Sequence, residues 1–457
     1  MKNSEITIKI TAVSAKGFGV GRYGNYVLLV YEGLPGDELL VRVVKANKHY
    51  GYAKILRIVT PSPHRLDASD VCPHATRCGG CQWLHCDYTA QLDFKKQIVA
   101  DALAKIGGVK NAPMHDTIGM VGSPLRYRNK AAFPVVPMDN ADGFEIGMYE
   151  ARSHKIVPVA DCAIQHPAHV PILAAFRQYM RRAALTAYDE HTHSGLVRNI
   201  MVRTSFATND VMVVIAINGK WLPDEGRLAA ELAKAGATTV VIRKHTKKGD
   251  VSSNIADYRV ISGPGHIMEH IGDLKFMLAA PSFFQVNPVQ TKRLYDIALD
   301  MAELDGTGSA IDAHCGVGSI ALYVAKHVEQ IIGVDIVPSA IHDAHQNAAL
   351  NDINNAAFIC GYAEVEIPAM LASGTVPRVI FLDPPRKGCD KALLDAIIAA
   401  KTEKVVYISC DPATLARDIK VLTESGGYIL KSVQPVDMFP MTSKVEVVAQ
   451  LYMPRHP

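Results

Sequence analysis

A single cysteine late in the chain stands where a nucleophile could be built. In Val405-Val406-Tyr407-Ile408-Ser409-Cys410-Asp411-Pro412-Ala413-Thr414 an apolar strand gives way to a helix. Asp411 suits the helix cap and Pro412 its first position. Cys410 therefore falls beside helix N-terminal N–H groups, which are expected to favour its thiolate. Two acids go with it. The apolar run 379–382 ends at Asp383, where Pro384 and Pro385 can continue neither strand nor helix. Residues 437–448 bring Glu446 into an otherwise apolar alternating strand, and a half-buried carboxylate there is a candidate general base. Thiol, aspartate and glutamate follow three successive strands, and open α/β sheets bind ligands at the carboxyl edge of their strands. One nucleophile with a base in reach is the minimum for covalent catalysis.

The strands before them carry a ligand turn. Ser309-Ala310-Ile311-Asp312-Ala313-His314-Cys315-Gly316-Val317-Gly318 reads as strand then glycine turn, and Gln330-Ile331-Ile332-Gly333-Val334-Asp335 as a second strand ending in an acid. Gly316 and Gly318 allow close backbone approach, and Asp335 takes the place that holds ribose hydroxyls. A third glycine and a Lys-Ser/Thr phosphate grip are both missing, which argues against a dinucleotide or triphosphate and for adenosine with a short charged tail. Far upstream, Cys72-Pro73-His74-Ala75-Thr76-Arg77-Cys78-Gly79-Gly80-Cys81 gathers three thiols with metal-ligand spacing. A fourth ligand is needed, and both Cys86 and Cys162 are available; a four-cysteine zinc site and a 4Fe-4S cluster are the two readings.

These groups need several units to hold them. At 457 residues and 49% hydrophobic, the chain can bury several cores and is expected to form about three domains. Short alternating strands at 26–30, 39–44 and 53–59, broken by Gly33, Pro35 and Gly36, predict a small barrel. Residues 120–270 read as an α+β insert, with strands at 211–217 and 239–242 and a helix at 228–235. Residues 1–130 hold 18 Lys and Arg against 10 Asp and Glu, a local +8, so the other 327 residues carry −5 of the chain's net +3. A basic front suits a polyanion. Arg126-Tyr127-Arg128-Asn129-Lys130 adds guanidinium and aromatic groups expected to contact phosphates and stack on bases. No eighteen-residue apolar run and no secretory core point to a cytoplasmic protein without a membrane partner. Nine cysteines without a signal peptide argue for metal plus catalysis rather than disulfides, with Cys315, Cys360 and Cys389 expected to be packing residues.

Taken together, the Asp-x-His-Cys-Gly-x-Gly turn, Gln285-Val286-Asn287-Pro288, Asp383-Pro384-Pro385-Arg386-Lys387-Gly388, Ser409-Cys410-Asp411-Pro412 and the Thr442 to Glu446 segment resemble the RNA uracil-5 methyltransferases, in that family's order. The first 62 residues, with Gly17-Phe18-Gly19-Val20-Gly21 and Leu34-Pro35-Gly36-Asp37, look like its TRAM module. The resemblance implies an OB-like barrel (1–62), an iron-sulfur region (63–118, with Cys162), a central α+β domain (119–272) and a Rossmann-like S-adenosylmethionine-dependent methyltransferase domain (273–457). It implies donor contacts from Gln285, His314, Asp335 and Asp383, with Cys410 as nucleophile, Glu446 as base and Asp383 orienting the uracil edge or the donor. It implies a 4Fe-4S cluster on Cys72, Cys78, Cys81 and Cys162, with zinc as the alternative, and a structural or RNA-positioning role for it. The implied partner is RNA: 23S ribosomal RNA first, transfer RNA second, with no stable protein partner. A non-catalytic iron-sulfur RNA-binding protein is the rival class. His314, Asp335, Met441 and Lys444 depart from the family's usual residues.

Overall fold

The computed structural model describes residues 1–248 and 257–454. Near the front, alternating burial closes five strands into a barrel: β1 (Glu5–Val13), β2 (Gly19–Tyr23), β3 (Tyr26–Val30), β4 (Glu38–Ala46) and β5 (Tyr50–Thr60). Their order is β1-β2-β3-β5-β4, and β4 pairs back on β1 to leave no free edge. Ile8, Ile10, Leu28, Val30, Leu39, Val41 and Val43 fill it. The glycine-rich opening is largely strand β2, and Gly19 lies against the backbone of Gly33 where a Cβ would stand 2.5 Å from its carbonyl.

Past the cysteine loop, helix α1 (Tyr88–Lys105) is capped by Asp87, whose side chain accepts from the Ala90 N–H. Its Val99 and Leu103 belong to the core of the last domain. The central unit is a seven-stranded sheet in the order β12-β11-β10-β9-β6-β7-β8. It comprises β6 (Lys130–Pro137), β7 (Phe144–Tyr149), β8 (Ile156–Pro158), β9 (Val197–Thr204), β10 (Val211–Ile217), β11 (Thr239–Lys244) and β12 (Tyr258–Ser262). Helices α2 (His169–Arg182) and α3 (Glu225–Lys234) cover it, with Phe133, Phe176 and Ile215 at the core. A hairpin, β13 (His266–Ile271) and β14 (Leu274–Ala279), buries Ile267, Phe276 and Leu278 in the core shared with helix α4 (Pro288–Ala302).

Near-continuous apolar strands build the last sheet, as parallel strands covered on both faces require. Its order is β17-β16-β15-β18-β19-β21-β20. The strands are β15 (Ser309–Ala313), β16 (Gln330–Asp335), β17 (Ala356–Cys360), β18 (Val379–Leu382), β19 (Lys404–Ser409), β20 (Ile429–Val436) and β21 (Glu446–Tyr452). Helices α5 (Ser319–Val324), α6 (Pro338–Leu350), α7 (Ala363–Ala372), α8 (Lys391–Ala400) and α9 (Pro412–Lys420) complete the wrapping. Strand β21 runs antiparallel to both β19 and β20.

Residues 437–445, between β20 and β21, tie the units together. Asp437 forms a fully buried ion pair with Lys95 of α1 and accepts from the Tyr88 hydroxyl at 2.8 Å. Met441 N–H donates to Gln91 Oε1 at 3.0 Å, and its carbonyl accepts from the Trp83 N–H. Ser443 Oγ donates to the carbonyl of Ala15 in the barrel at 3.1 Å. Removing one partner of a buried pair such as Lys95–Asp437 costs about 3–5 kcal/mol, because the other charge is left buried and unpaired.

Candidate active site

Parallel neighbours β18 and β19 end at the same sheet edge, and β21, being antiparallel, begins there. Asp383, Cys410 and Glu446 are therefore delivered to one place, although Glu446 opens its strand rather than following it. Ser409 pairs with Val447, which sets Cys410 and Glu446 opposite each other at the end of the ladder. The Asp411 side chain accepts from the Ala413 and Thr414 N–H groups at 2.9 and 3.3 Å, and Pro412 takes the first turn, as expected.

The thiolate expectation fails, however. Burial first, and then the Glu446 and Asp383 carboxylates, push the Cys410 thiol up to about 11, against a smaller pull from Arg386. The cap explains part of this, because Asp411 already occupies the N–H groups that would have favoured the thiolate. Glu446 is 4% exposed, and burial with Asp383 beside it holds its carboxyl well above the usual range. Asp383 retains some accessible surface at the mouth of the site but is packed among protein atoms, and burial raises it to about 7.

The adenosine-type turn lies along the same edge. His314, Gly316 and Gly318 have φ of 71°, 54° and 81°, and a Cβ on Gly318 would stand 3.0 Å from the Phe358 ring. Asp335 closes the turn: its Oδ2 accepts from the Gly316 N–H at 2.9 Å and its Oδ1 from the Val337 N–H at 2.8 Å. Burial lowers His314, and its Nδ1 has no hydrogen-bond partner within the protein. Gln285 is buried just before helix α4; its carbonyl accepts from Asn129 Nδ2 at 3.2 Å, and Asn287 caps the helix. Tyr295, two turns along α4, hydrogen-bonds Ser319 at 2.8 Å and feels the charges of Asp383, Asp312 and Glu446.

Three participants had no assigned role in the sequence. Asp312 is fully buried; its Oδ2 accepts from the Ala321 N–H while Oδ1 is unpartnered, and burial with Asp383 and Asp335 raises it far above normal. Arg386 is the cation facing Cys410 and Glu446. Tyr295 is the third. Asp312 and Arg386 lie inside the quoted motifs, so the motif positions were the available signal; nothing local marked Tyr295. One role is withdrawn: Tyr127 is 1% exposed with its hydroxyl bonded to the Pro440 carbonyl at 3.1 Å, so it cannot stack on a base. Arg126 pairs with Asp161, and Asn129 holds the Gln285 segment.

In the second cysteine set, Cys81 is raised by burial and then by Cys162, Cys78 and Cys72, and Cys162 likewise by Cys78 and Cys72 after burial. The four thiols thus converge within range of one another's charge. Among the described residues, no three His, Cys, Asp or Glu side chains close on one metal-ion position. The Gly80 N–H donates to Cys78 Sγ at 3.4 Å, and the Ile164 and Gln165 N–H groups face Cys162. Cys86 packs in a different core, with Trp83 and Leu34. Cys315 and Cys389 are buried as expected, whereas Cys360 is exposed at the end of an edge strand.

The family described as tRNA (Uracil-5-)-methyltransferase matches residues 87–453, and the TRAM domain matches residues 1–56. The chain belongs to this methyltransferase family. It is 42% identical over 452 residues to an uncharacterized RNA methyltransferase of Halalkalibacterium halodurans, spanning 98% of this chain and 97% of the relative. It is 40% identical over 452 residues, with the same coverage, to another from Bacillus cereus. The structure of the Pyrococcus abyssi tRNA (uracil-54, C5)-methyltransferase with S-adenosyl-L-homocysteine shares the fold at a TM-score of 0.77, with 24% identity over 98% of this chain and all of that one. The protein is thus an RNA (uracil-5-)-methyltransferase that uses S-adenosylmethionine, with a TRAM barrel and a Rossmann-like catalytic sheet. Among the described residues no helix is long and apolar enough to cross a membrane.

Proposed function

We propose that this methyltransferase converts one specific uridine of 23S ribosomal RNA to 5-methyluridine through a covalent bond between Cys410 and carbon 6 of the base. The meeting of Cys410, Glu446 and Asp383 at one sheet edge beside the glycine turn carries this reading. Carbon 5 of uracil is a poor nucleophile; once the Cys410 thiol has given its proton to solvent, addition of the thiolate at carbon 6 makes carbon 5 an enolate carbon able to accept a methyl group. Bound S-adenosylmethionine supplies that group as a sulfonium alkylating agent. Glu446 in its ionised form, its basicity increased by burial and Asp383, takes the carbon 5 proton, and elimination frees Cys410. Asp383 orients the uracil edge or the donor.

The donor fits the charge of the site. Asp312, Asp335, Asp383 and Glu446 influence one another there, and Asp312 Oδ1 and His314 Nδ1 are buried without partners. A ligand with sulfonium and ammonium charges relieves that repulsion, and Gln285, His314, Asp335 and Asp383 are its proposed contacts. Cys72, Cys78, Cys81 and Cys162 would hold a 4Fe-4S cluster. The family resemblance favours the cluster on all four thiolates over zinc. The cluster would brace the junction, and the domains are taken as 1–62, 63–118, 119–272 and 273–457.

The barrel and cysteine loop favour the ribosomal substrate, because they accompany that branch of the family resemblance; the family's own description favours transfer RNA as the second reading. Nucleoside mass spectrometry decides between them. Anaerobically purified protein and S-adenosylmethionine are incubated with unmodified 23S ribosomal RNA or unmodified transfer RNA. New 5-methyluridine in the former alone is expected; product in transfer RNA alone would replace the substrate and keep the mechanism.

A further inference from the structure

A cavity of about 590 Å³ opens where barrel, cysteine loop and central sheet meet, away from Cys410. Its floor is aromatic: Phe18 meets Tyr31 and Tyr52 edge-to-face at centroid distances of 6.3 and 5.6 Å. Arg152 lies over this floor, 4.3 Å from the Phe18 centroid and 5.1 Å from that of Tyr31. Lys16 and Lys45 are exposed at the rim, and no carboxylate is among the described lining residues.

The junction is built to hold this shape. Arg152 sits at φ 60° in the turn between β7 and β8, a conformation that costs about 1–3 kcal/mol outside glycine unless the surroundings impose it. They do so here: the Gly79 N–H donates to the Tyr149 carbonyl at 2.9 Å and the Ala151 N–H to the Arg77 carbonyl at 3.1 Å. Gly79 itself is needed, since a Cβ there would stand 3.0 Å from Ala151 Cα. A protein cation is not the natural occupant, because Arg152 already fills the cation position over the rings. A flat group carrying negative charge is complementary: its plane stacks on the exposed guanidinium and its phosphate meets the lysines.

We propose that this cavity binds one unpaired nucleotide of the substrate RNA, outside the methylated uridine, stacking its base on the outer face of the Arg152 guanidinium and placing its phosphate between Lys16 and Lys45. This rests on RNA being the substrate, not on which RNA it is or on the methyl chemistry. Gln82 links the cavity to the catalytic loop: it lines the wall, and its Oε1 accepts from the Ser443 N–H at 3.4 Å, three residues before Glu446.

The test uses the full chain, purified anaerobically, with a fluorescein-labelled random-sequence RNA dodecamer and an abasic ribose-phosphate dodecamer, read by anisotropy. Arg152→Gly suits the φ of 60° and keeps the turn, so the variant folds. Wild type should prefer the base-bearing strand by about 5- to 150-fold more than Arg152→Gly does, the worth of one stacked base. Arg152→Lys, which keeps the charge and loses the plane, should bind the abasic strand like wild type yet lose the same preference. Lys16→Ala should weaken both strands equally and flatten the salt dependence. Unchanged base preference in both Arg152 variants, or unchanged salt dependence in Lys16→Ala, would overturn the proposal. With methylated RNA as product, Arg152→Gly should raise KM for RNA and leave kcat alone. If the binding pattern holds and no RNA is methylated, the cavity stands and the methylation reading falls.

Discussion

Cys410 and the four thiols beside the barrel meet opposite surroundings. Cys410 is alone among carboxylates, with Arg386 as its facing cation. Cys78, Cys81 and Cys162 oppose one another, but backbone N–H groups and Arg128 draw them the other way. Burial raises Cys410 and these three thiols alike. The proposed functions differ in what would relieve them: a cationic ligand and a substrate at the sheet edge, and a shared metal at the loops. On the proposed reading, Cys410 rests as a thiol and reacts only once a cationic donor offsets the carboxylates around it, whereas the loop thiols gather donors around themselves. The same residue type is thus given two chemistries by its neighbours.

Substituting one thiol from each set tests the contrast most strongly. Cys410→Ala should lower methyl transfer by on the order of 10⁴-fold or more, the scale of a lost nucleophile, and leave melting temperature and visible absorbance unchanged. Radiolabel transfer from S-adenosylmethionine reads the first and spectroscopy the second. Turnover surviving in this variant would remove the distinction between the sets. Glu446→Gln comes next. It should slow product formation by about 10²- to 10⁴-fold and let the protein–RNA adduct accumulate, visible as a slow band on a denaturing gel. Slow turnover with no adduct would place Glu446 before bond formation instead of after it.

Cys162→Ser should act through structure. The brown colour expected of anaerobic protein should vanish, melting temperature should fall, and methylation should drop by at most about 10²-fold, since the loop carrying Glu446 rests on Gln82, Trp83 and Gln91 and a small displacement there is costly. A colourless wild type with stoichiometric zinc would overturn the iron assignment instead.

How much of this was legible depended on distance along the chain. Strand β16 covers Gln330–Asp335, as its apolar run and terminal acid suggested, and the Asp411–Pro412 cap is local chemistry read correctly. What failed was set by partners far away. Tyr127 looked like a stacking residue because of its basic neighbours, yet Pro440, 313 positions on, claims its hydroxyl. The Cys410 thiol looked acidic from its helix, yet burial and then Glu446 and Asp383 raise it. Met441, noted only as a departure, fills the core beside Cys72 and Leu84 and anchors the catalytic loop to Gln91. The cavity at Arg152 draws walls from three segments, so no window of sequence contained it.

The smallest effect sharpens the electrostatic half of the comparison. Burial raises Asp383 to about 7, so folding favours its neutral acid. The stability this gives is whole below the unfolded value of 3.8 and is lost as pH rises through about 7. Asparagine mimics the neutral acid at every pH. Asp383→Asn should therefore melt higher than wild type by on the order of a few °C near pH 8, and by less near pH 5.5. Saturating S-adenosylmethionine should narrow the gap near pH 8, because its positive charges favour the ionised carboxylate that only wild type has. S-adenosylhomocysteine, which lacks the sulfonium, should narrow it less. A gap that is independent of pH, or equal with both ligands, would mean that Asp383 does not face the donor's charge, and the carboxylates around Cys410 would then need another purpose.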